Sequence, residues 1–297
     1  MRIAFDWHET ADGTTLHVAH GGAPQGRLVL CLHGFPEHWV AWRAVMAELA
    51  ADHRLVAPDL RGYNLSSRPA GLEAYRMAAL VGDVAALVDR LSPEAPVVLA
   101  GHDWGAALAY AYAFAHPGRV SHLVVANGVH PVPFQRAILA DPEQRRASQY
   151  IARLRAADAE ALLAEDDFRR LLRMIEGFSR ADWMDEGRRA AYRAAWRRPG
   201  ALTGMLNWYR ASPLVVPGVD EALADAPLLS VPPDQMAVPM PHLVVWGEDD
   251  EALRPSCLEG LEAFAPRLAV QRIAGAGHWV LHEKPAAVAA AIRAFLG

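Results

Sequence analysis

The sequence predicts an α/β fold, in which a mostly parallel, doubly wound sheet carries an inserted helical cap domain. Three observations lead to this prediction. Short apolar runs alternate with helical patterns before residue 130, a long stretch of helical spacing follows, and a strand pattern resumes after a proline-rich connector. Strands separated by single helices pair in parallel through right-handed crossovers. The middle stretch is therefore expected to be an insertion into one sheet.

The predicted elements follow in order along the chain. Two runs flank the turn signal Asp12-Gly13 and predict an antiparallel hairpin. Continuous apolar runs predict buried strands, and 3.6-residue spacing predicts helices. The hairpin covers residues 3–9 and 14–20, the strands cover 27–33, 54–58, 95–100, 120–126 and 242–246, and the helices cover 39–51, 75–91 and 286–296.

These elements divide the chain into three predicted parts. Residues 1–133 form the first part of the core, residues 134–212 form the helical cap, and residues 213–297 form the second part of the core. The cap stretch is rich in Ala, Arg, Glu and Leu at helical spacing, and it shows no convincing strand pattern.

Composition limits the classes of function. The chain has 297 residues, of which 53% are hydrophobic, so it can bury a sizeable core. A net charge of −5 argues against a sequence-independent grip on nucleic acid. Cys31 and Cys257 are too few for a disulfide framework or a cysteine zinc site.

The first ten residues, MRIAFDWHET, lack the pattern of a secretory signal, and no apolar run approaches the roughly 18 residues of a membrane span. We therefore expect a cytoplasmic protein, a monomer or homodimer, that has a small-molecule substrate and no nucleic-acid or membrane partner. No cofactor or catalytic metal is expected.

One candidate site lies in Gly101-His102-Asp103-Trp104-Gly105, between a predicted strand and the helical spacing that follows. This pattern is the G-x-nucleophile-x-G turn in its required context. The turn is so sharp that both flanking positions need glycine, and it raises the middle side chain above the sheet. Asp103 at that position is either a nucleophile or only the cap of the next helix.

Two further positions supply a candidate base and acid. His278 follows a glycine-rich loop just before the last predicted helix. The strand at 242–246 runs into an acidic loop, where a carboxylate that orients a histidine belongs. The G-x-x-D spacing selects Asp250, with Asp249 as the alternative if the register slips by one residue. Asn127, after the strand at 120–126, cannot supply a charge.

A fourth element, His33-Gly34-Phe35-Pro36, follows the first core strand. Backbone amides at this turn and directly after the nucleophile form oxyanion holes in such arrangements. We expect the amides of Phe35 and Trp104 to form one here.

Four stretches of the sequence resemble the epoxide hydrolases of the α/β-hydrolase superfamily. They cover residues 33–43, 59–69, 101–106 and 277–285, and Leu206-Asn207-Trp208-Tyr209-Arg210 resembles the cap segment whose tyrosine touches the epoxide oxygen. The order nucleophile, acid, histidine is also that of the superfamily. The resemblance implies a capped core, a cis Phe35–Pro36 bond and Tyr209 as proton donor. A second cap tyrosine is expected to be Tyr150, with Tyr192 as the competitor.

An aspartate nucleophile changes the predicted reaction. A carboxylate attacks an electrophilic sp³ carbon, and strained epoxides and haloalkanes are the realistic substrates. Asp103 would form an alkyl ester, which water activated by His278 and Asp250 would hydrolyse to a vicinal diol. His33, Pro36, Trp39 and Trp279 adjoin the motifs and are expected to line the substrate pocket.

Two other functions stay open at this stage. A haloalkane dehalogenase would use Trp104 and Trp39 as N–H donors to the halide. It is disfavoured because His102 stands where those enzymes usually carry glutamine, and because the segment containing Tyr209 has no purpose in that reaction. A non-catalytic ligand-binding protein of the same fold is disfavoured because Asp103, Asp250 and His278 are all present.

Overall fold

A computed structural model describes residues 1–222 and 225–297, and an eight-stranded sheet lies at its centre. The sheet has the strand order β1-β2-β4-β3-β5-β6-β7-β8. The pairs β1–β2 and β2–β4 are antiparallel, and all the following neighbours in this order are parallel. This topology confirms the predicted α/β fold. The strands are β1 (Ala4–Glu9), β2 (Thr15–Gly22), β3 (Arg27–Leu32), β4 (His53–Pro58), β5 (Val97–His102), β6 (Val120–Ala126), β7 (His242–Gly247) and β8 (Leu268–Ile273).

Helices cover both faces of the sheet, and each face has its own apolar core. The helices outside the region between β6 and β7 are α1 (Arg43–Leu49), α2 (Met77–Leu91), α3 (Trp104–Ala115), α10 (Val280–Glu283) and α11 (Pro285–Leu296). None of the helices in the described ranges combines the length and apolar character that crossing a bilayer requires.

A run of helices separates β6 from β7, although these strands are neighbours in the sheet. The helices are α4 (Pro131–Ala140), α5 (Pro142–Ala147), α6 (Gln149–Arg155), α7 (Ala159–Gly177), α8 (Glu186–Trp196) and α9 (Ala201–Arg210). Their position agrees with an insertion into the core, while the domain boundaries at 133/134 and 212/213 stay predictions.

The inserted helices are held on the core by contacts to backbone atoms. The indole of Trp208 donates to the carbonyl oxygen of Arg61 at 2.9 Å, and the indole of Trp196 donates to that of Pro36 at 2.7 Å. A Cβ at Gly204 would lie 2.8 Å from the Cα of Gly62, so this approach of α9 to the core needs glycine. These contacts hold α8 and α9 against the core.

Strand β8 is the strand of this sheet that the sequence did not predict. Four of its six residues are exposed because it is the last strand of the sheet. It therefore has neither the continuous apolar run of a buried strand nor a clear alternation. The predicted helix at 39–51 also differs, since it begins as a 3-10 turn, Trp39–Trp42, before α1.

Candidate active site

Asp103 lies on a sharp turn between β5 and α3. Its backbone has φ +50° and ψ −119°, a conformation that L-residues rarely adopt. A Cβ at Gly101 would meet the carbonyl oxygen of Gly105 at 2.4 Å, and one at Gly105 would meet that of Leu32 at 2.2 Å. The two glycines of the motif are therefore required by close packing, and the strained residue between them presents its carboxylate above the sheet.

The turn after β3 supplies a hydrogen-bond donor to this carboxylate. The amide of Phe35 donates to Oδ1 of Asp103 at 2.8 Å, and the Phe35–Pro36 peptide bond is cis. Trp104 begins α3, so its amide has no acceptor within that helix. The Phe35 amide therefore lies at the Asp103 carboxylate, and the role of the Trp104 amide stays a prediction.

His278 faces Asp103 from the loop after β8. Its Nε2 lies 3.6 Å from Oδ2 of Asp103, and its Nδ1 lies 2.8 Å from Oδ2 of Asp250. Burial opposes the charged imidazolium, but the Asp250 and Asp103 carboxylates outweigh it and raise the pKa of His278 to about 10. Of the two candidate acids, Asp250 is the one in contact with the histidine.

Asn127 holds the acid in place. Its amide nitrogen donates to Oδ2 of Asp250 at 2.8 Å, and the amides of Ala252 and Leu253 donate to Oδ1 at 2.8 and 2.9 Å. Burial opposes the ionised form, but His278 and these donors lower the pKa of Asp250. Sequence reasoning missed this role because it considered Asn127 only as a source of charge.

Two cap tyrosines lie near Asp103. The Tyr209 ring packs edge-on against Phe35 and Trp104, with centroid distances of 5.1 and 5.0 Å, and lies 6.3 Å from the ring of Tyr150. Burial and the nearby Asp103 carboxylate raise the pKa of both phenols, so both are protonated and able to donate at neutral pH.

Tyr192 lies elsewhere. Its hydroxyl donates to Oε1 of the buried Glu37 at 2.6 Å, and it is absent from the set of described residues that line the cavity around Asp103. The geometry therefore pairs Tyr150, not Tyr192, with Tyr209.

Asp103 lines a cavity of about 640 Å³ between the core and the inserted helices. Trp104, Tyr150 and Tyr209 also line it, and Asp103 carries the only charge among the described lining residues. Three alanines at intervals of four residues on α3 form part of the wall, which is mostly apolar. They are Ala107, Ala111 and Ala115.

Comparisons with known proteins agree with this arrangement. Residues 27–285 match the family model described as alpha/beta hydrolase fold. The chain is 31% identical over 282 residues to epoxide hydrolase 2 of Caenorhabditis elegans, covering 91% of this chain and 74% of that protein. This chain belongs to the epoxide hydrolase family of the α/β-hydrolase fold.

Two further similarities extend over nearly the whole chain. An AB hydrolase superfamily protein of Bacillus subtilis is 36% identical over 93% of this chain and 92% of its own length. A solved structure from hot-environment metagenomes, described among novel epoxide hydrolases of the alpha/beta hydrolases superfamily, has a TM-score of 0.89 at 36% identity. It covers 100% of this chain and 99% of the other chain.

The four residues expected to line the pocket do not contribute to the described wall of the cavity, which corrects that expectation. His33 is fully buried, and its Nε2 accepts from the amide of Leu60 at 2.9 Å. Pro36 offers its carbonyl oxygen to Trp196. Trp39 is buried in the core on one face of the sheet, and Trp279 packs behind His278, with ring centroids 4.9 Å apart.

A second buried network was not predicted. Glu37 lies 2.6 Å from Nε2 of His282 and 3.5 Å from Nδ1 of His102, besides accepting from Tyr192. Nε2 of His102 lies 2.8 Å from the carbonyl oxygen of His278. Burial opposes ionisation, but the histidines outweigh it and lower the pKa of Glu37. Glu37 directly follows the motif at residues 33–36, and this was the only sequence signal for it.

Proposed function

We propose that this member of the epoxide hydrolase family converts an uncharged, largely apolar epoxide to a vicinal diol through a covalent ester on Asp103. The observation that carries the proposal is the placement of Asp103. Its carboxylate lies against the Phe35 amide and His278, and it shares a cavity with the phenols of Tyr209 and Tyr150.

In the first step, a carboxylate oxygen of Asp103 attacks a ring carbon of the epoxide. A C–O ester bond forms as the ring C–O bond breaks, and negative charge develops on the ring oxygen. An alkoxide leaves poorly unless it receives a proton. Tyr209 and Tyr150 hydrogen-bond that oxygen, and one of them gives it a proton and becomes a phenolate.

In the second step, His278 removes a proton from water as the water oxygen attacks the ester carbonyl of Asp103. The amides of Phe35 and Trp104 stabilise the resulting oxyanion. As the acyl–oxygen bond breaks, His278 returns the proton to the departing oxygen and the diol leaves. One water-derived oxygen stays in the Asp103 carboxyl group, whose proton His278 then takes up. The new hydroxyl oxygen of the diol therefore comes from the enzyme.

The charge on Asp103 connects the two steps. In the free protein, two carboxylates favour the protonated form of His278. Ester formation removes the charge of Asp103, so the pKa of His278 falls and the imidazole gives its proton back to the phenolate. Formation of the ester therefore holds the substrate on the enzyme and also leaves His278 in the neutral form that can accept a proton from water.

The cavity wall indicates the class of substrate. No described lining residue supplies a positive charge for an anionic substrate, and most of the wall is apolar. Burial of apolar surface contributes about 25 cal/mol per Å² to binding. We therefore propose that the substituent on the epoxide is a neutral alkyl or aryl group. The proposed reaction needs only this small molecule and water. The cytoplasmic location and the monomeric or homodimeric state stay predictions from the sequence.

The test is a parallel assay of epoxide and haloalkane turnover. The protein should convert styrene oxide to phenylethanediol and release little bromide from 1-bromohexane, because Trp39 does not reach the cavity to assist Trp104 with a halide. Asp103→Ala should abolish the diol-forming activity. Faster bromide release than diol formation would favour dehalogenation, and an active Asp103→Ala protein would refute the role of Asp103.

A further inference from the structure

Three potential metal ligands meet on the N-terminal hairpin, outside the proposed catalytic site. Asp6 and His8 lie on β1, and His20 lies on β2. In the antiparallel register Ala4 pairs with His20 and Asp6 pairs with Val18, so side chains two residues apart point to the same face. One carboxylate oxygen and one ring nitrogen from each histidine all lie within 4.8 Å of one another.

The two imidazoles present nitrogen atoms that have no protein partner. His8 is only 4% exposed, and neither its Nδ1 nor its Nε2 meets a hydrogen-bond partner within the part of the chain that the structure describes. Nε2 of His20 is buried and unpartnered in the same way. Buried polar side chains are nearly always satisfied, so these nitrogens are open to a ligand from outside the protein.

We propose that Asp6, His8 and His20 form a binding site for a first-row divalent transition-metal ion, with Zn²⁺ as the best match. The donor set of two imidazole nitrogens and one carboxylate oxygen suits this class of ion, and a fourth position is left for water.

An ion would draw the three side chains closer, since their ligand atoms lie within 4.8 Å of one another and the His8 and His20 rings stack with centroids 5.8 Å apart. Nε2 of His8 lies 3.7 Å from Oδ2 of Asp6. In a tetrahedral zinc site with bonds of about 2.0–2.1 Å, neighbouring ligand atoms are about 3.4 Å apart. Oδ1 of Asp6 already accepts from the amide of Trp7 at 2.7 Å, which orients the carboxylate and leaves Oδ2 for the metal.

The site would connect the two strands of the hairpin. Within the described residues, strand β1 is the edge of the sheet and pairs only with β2. An ion bound by both strands is present only in the folded protein, so it stabilises the fold in proportion to its concentration over its Kd. The proposal is independent of epoxide turnover, because none of the three residues lines the cavity around Asp103.

The test is calorimetric titration of tag-free, chelator-treated full-length protein with Zn²⁺. We expect one equivalent to bind with a Kd of about 10 µM or tighter, corresponding to at least about −7 kcal/mol. A Co²⁺ titration should give visible absorption bands of a low-coordinate nitrogen and oxygen site. His8→Ala and His20→Gln should each weaken Zn²⁺ binding by about 100-fold. Asp6→Asn, at an exposed side chain, should weaken it by about ten-fold.

Matched controls separate this site from other histidines. His116→Ala, at a histidine outside the hairpin, should bind Zn²⁺ like the parent protein. Arg90→Gln removes an exposed cation that acts on Asp6 and His8, and it should bind at least as tightly as the parent. If His8→Ala does not fold, His20→Gln and Asp6→Asn provide the test. Absence of binding at about 100 µM Zn²⁺, or unchanged affinity in both of these variants, would overturn the proposal.

Discussion

Two buried histidine–carboxylate pairs lie close together in this molecule, and their surroundings differ. In the Asp250–His278 pair, Nε2 of the histidine faces Asp103. In the Glu37–His282 pair, Nε2 is already bound to the carboxylate, and the imidazole stacks on Trp183 with ring centroids 3.8 Å apart. The first histidine has a nitrogen directed at the proposed nucleophile, whereas the second is enclosed by protein.

The partners of the two carboxylates differ in the same sense. Asp250 accepts hydrogen bonds from Asn127 and from backbone amides beside it. Glu37 accepts from Tyr192 on the inserted helix α8, so it joins that helix to the core. The comparison teaches that the residue pair alone does not define a catalytic site. We infer that the Asp250 pair acts on substrate and that the Glu37 pair holds the inserted helices.

The largest difference is expected between His278→Gln and its matched control, His282→Gln. Loss of the proposed base should lower turnover of styrene oxide by about 10³-fold or more. His278→Gln should also accumulate the alkyl ester, visible as added mass on the intact protein. His282→Gln should retain turnover within about ten-fold and show no adduct. An equal loss of turnover in the two variants would contradict the comparison.

The carboxylates provide the second test. Asp250→Asn should slow ester hydrolysis by about 10²–10⁴-fold, because the imidazole loses its orientation and the charge that supports its protonated form. Glu37→Gln should act mainly on stability and lower the free energy of unfolding by about 1–3 kcal/mol. Single-turnover kinetics and urea unfolding measure the two effects. A stable Glu37→Gln protein with hydrolysis as slow as that of Asp250→Asn would reverse the assignment.

The tyrosines sharpen the comparison further. Tyr209→Phe should slow ester formation by about 10–100-fold, since Tyr150 still donates to the epoxide oxygen. Tyr192→Phe should leave the rate of ester formation nearly unchanged and lower the free energy of unfolding by about 1–2 kcal/mol. Stopped-flow measurement of the alkylation rate distinguishes them. A slower alkylation step in Tyr192→Phe than in Tyr209→Phe would indicate that Tyr192 donates to the epoxide oxygen.

The pH dependence of stability provides a further test of the Asp250–His278 pair. The pKa of His278 is raised to about 10 from an ordinary 6.5. Its contribution to stability is therefore fully present below pH 6.5 and is lost as pH rises through about 10. The free energy of unfolding should fall more between pH 6.5 and 9.5 in the parent than in His278→Gln. Parallel curves for the two proteins would show that His278 holds no extra proton.

Much of the fold was predictable because the core strands are buried on both faces and read as continuous apolar runs. The strand at 120–126 matches β6 at both ends. The exposed edge strand β8 was missed because its residues face solvent. Catalytic candidates were predictable where a motif constrains the backbone, as at Asp103, whose strained turn needs its glycines.

Other features depend on packing between distant segments, which no local pattern encodes. Trp39 adjoins a motif in sequence, but its indole packs into the core rather than the cavity. Glu37 meets Tyr192 across 155 positions of the chain. His8 and His20 meet because of the hairpin register, and sequence reasoning weighed only the cysteines as metal ligands. Sequence proximity to a motif is therefore a weaker guide than the three-dimensional contacts.

The central claim is that Asp103 becomes covalently bound to the substrate, and one turnover in ¹⁸O-water tests it most directly. Excess enzyme is mixed with styrene oxide, and the first diol and the peptide containing Asp103 are analysed by mass spectrometry. The account predicts an unlabelled first diol and ¹⁸O in the Asp103 carboxylate. Label in the first diol, with none in Asp103, would show that water attacks the epoxide directly and would contradict the account.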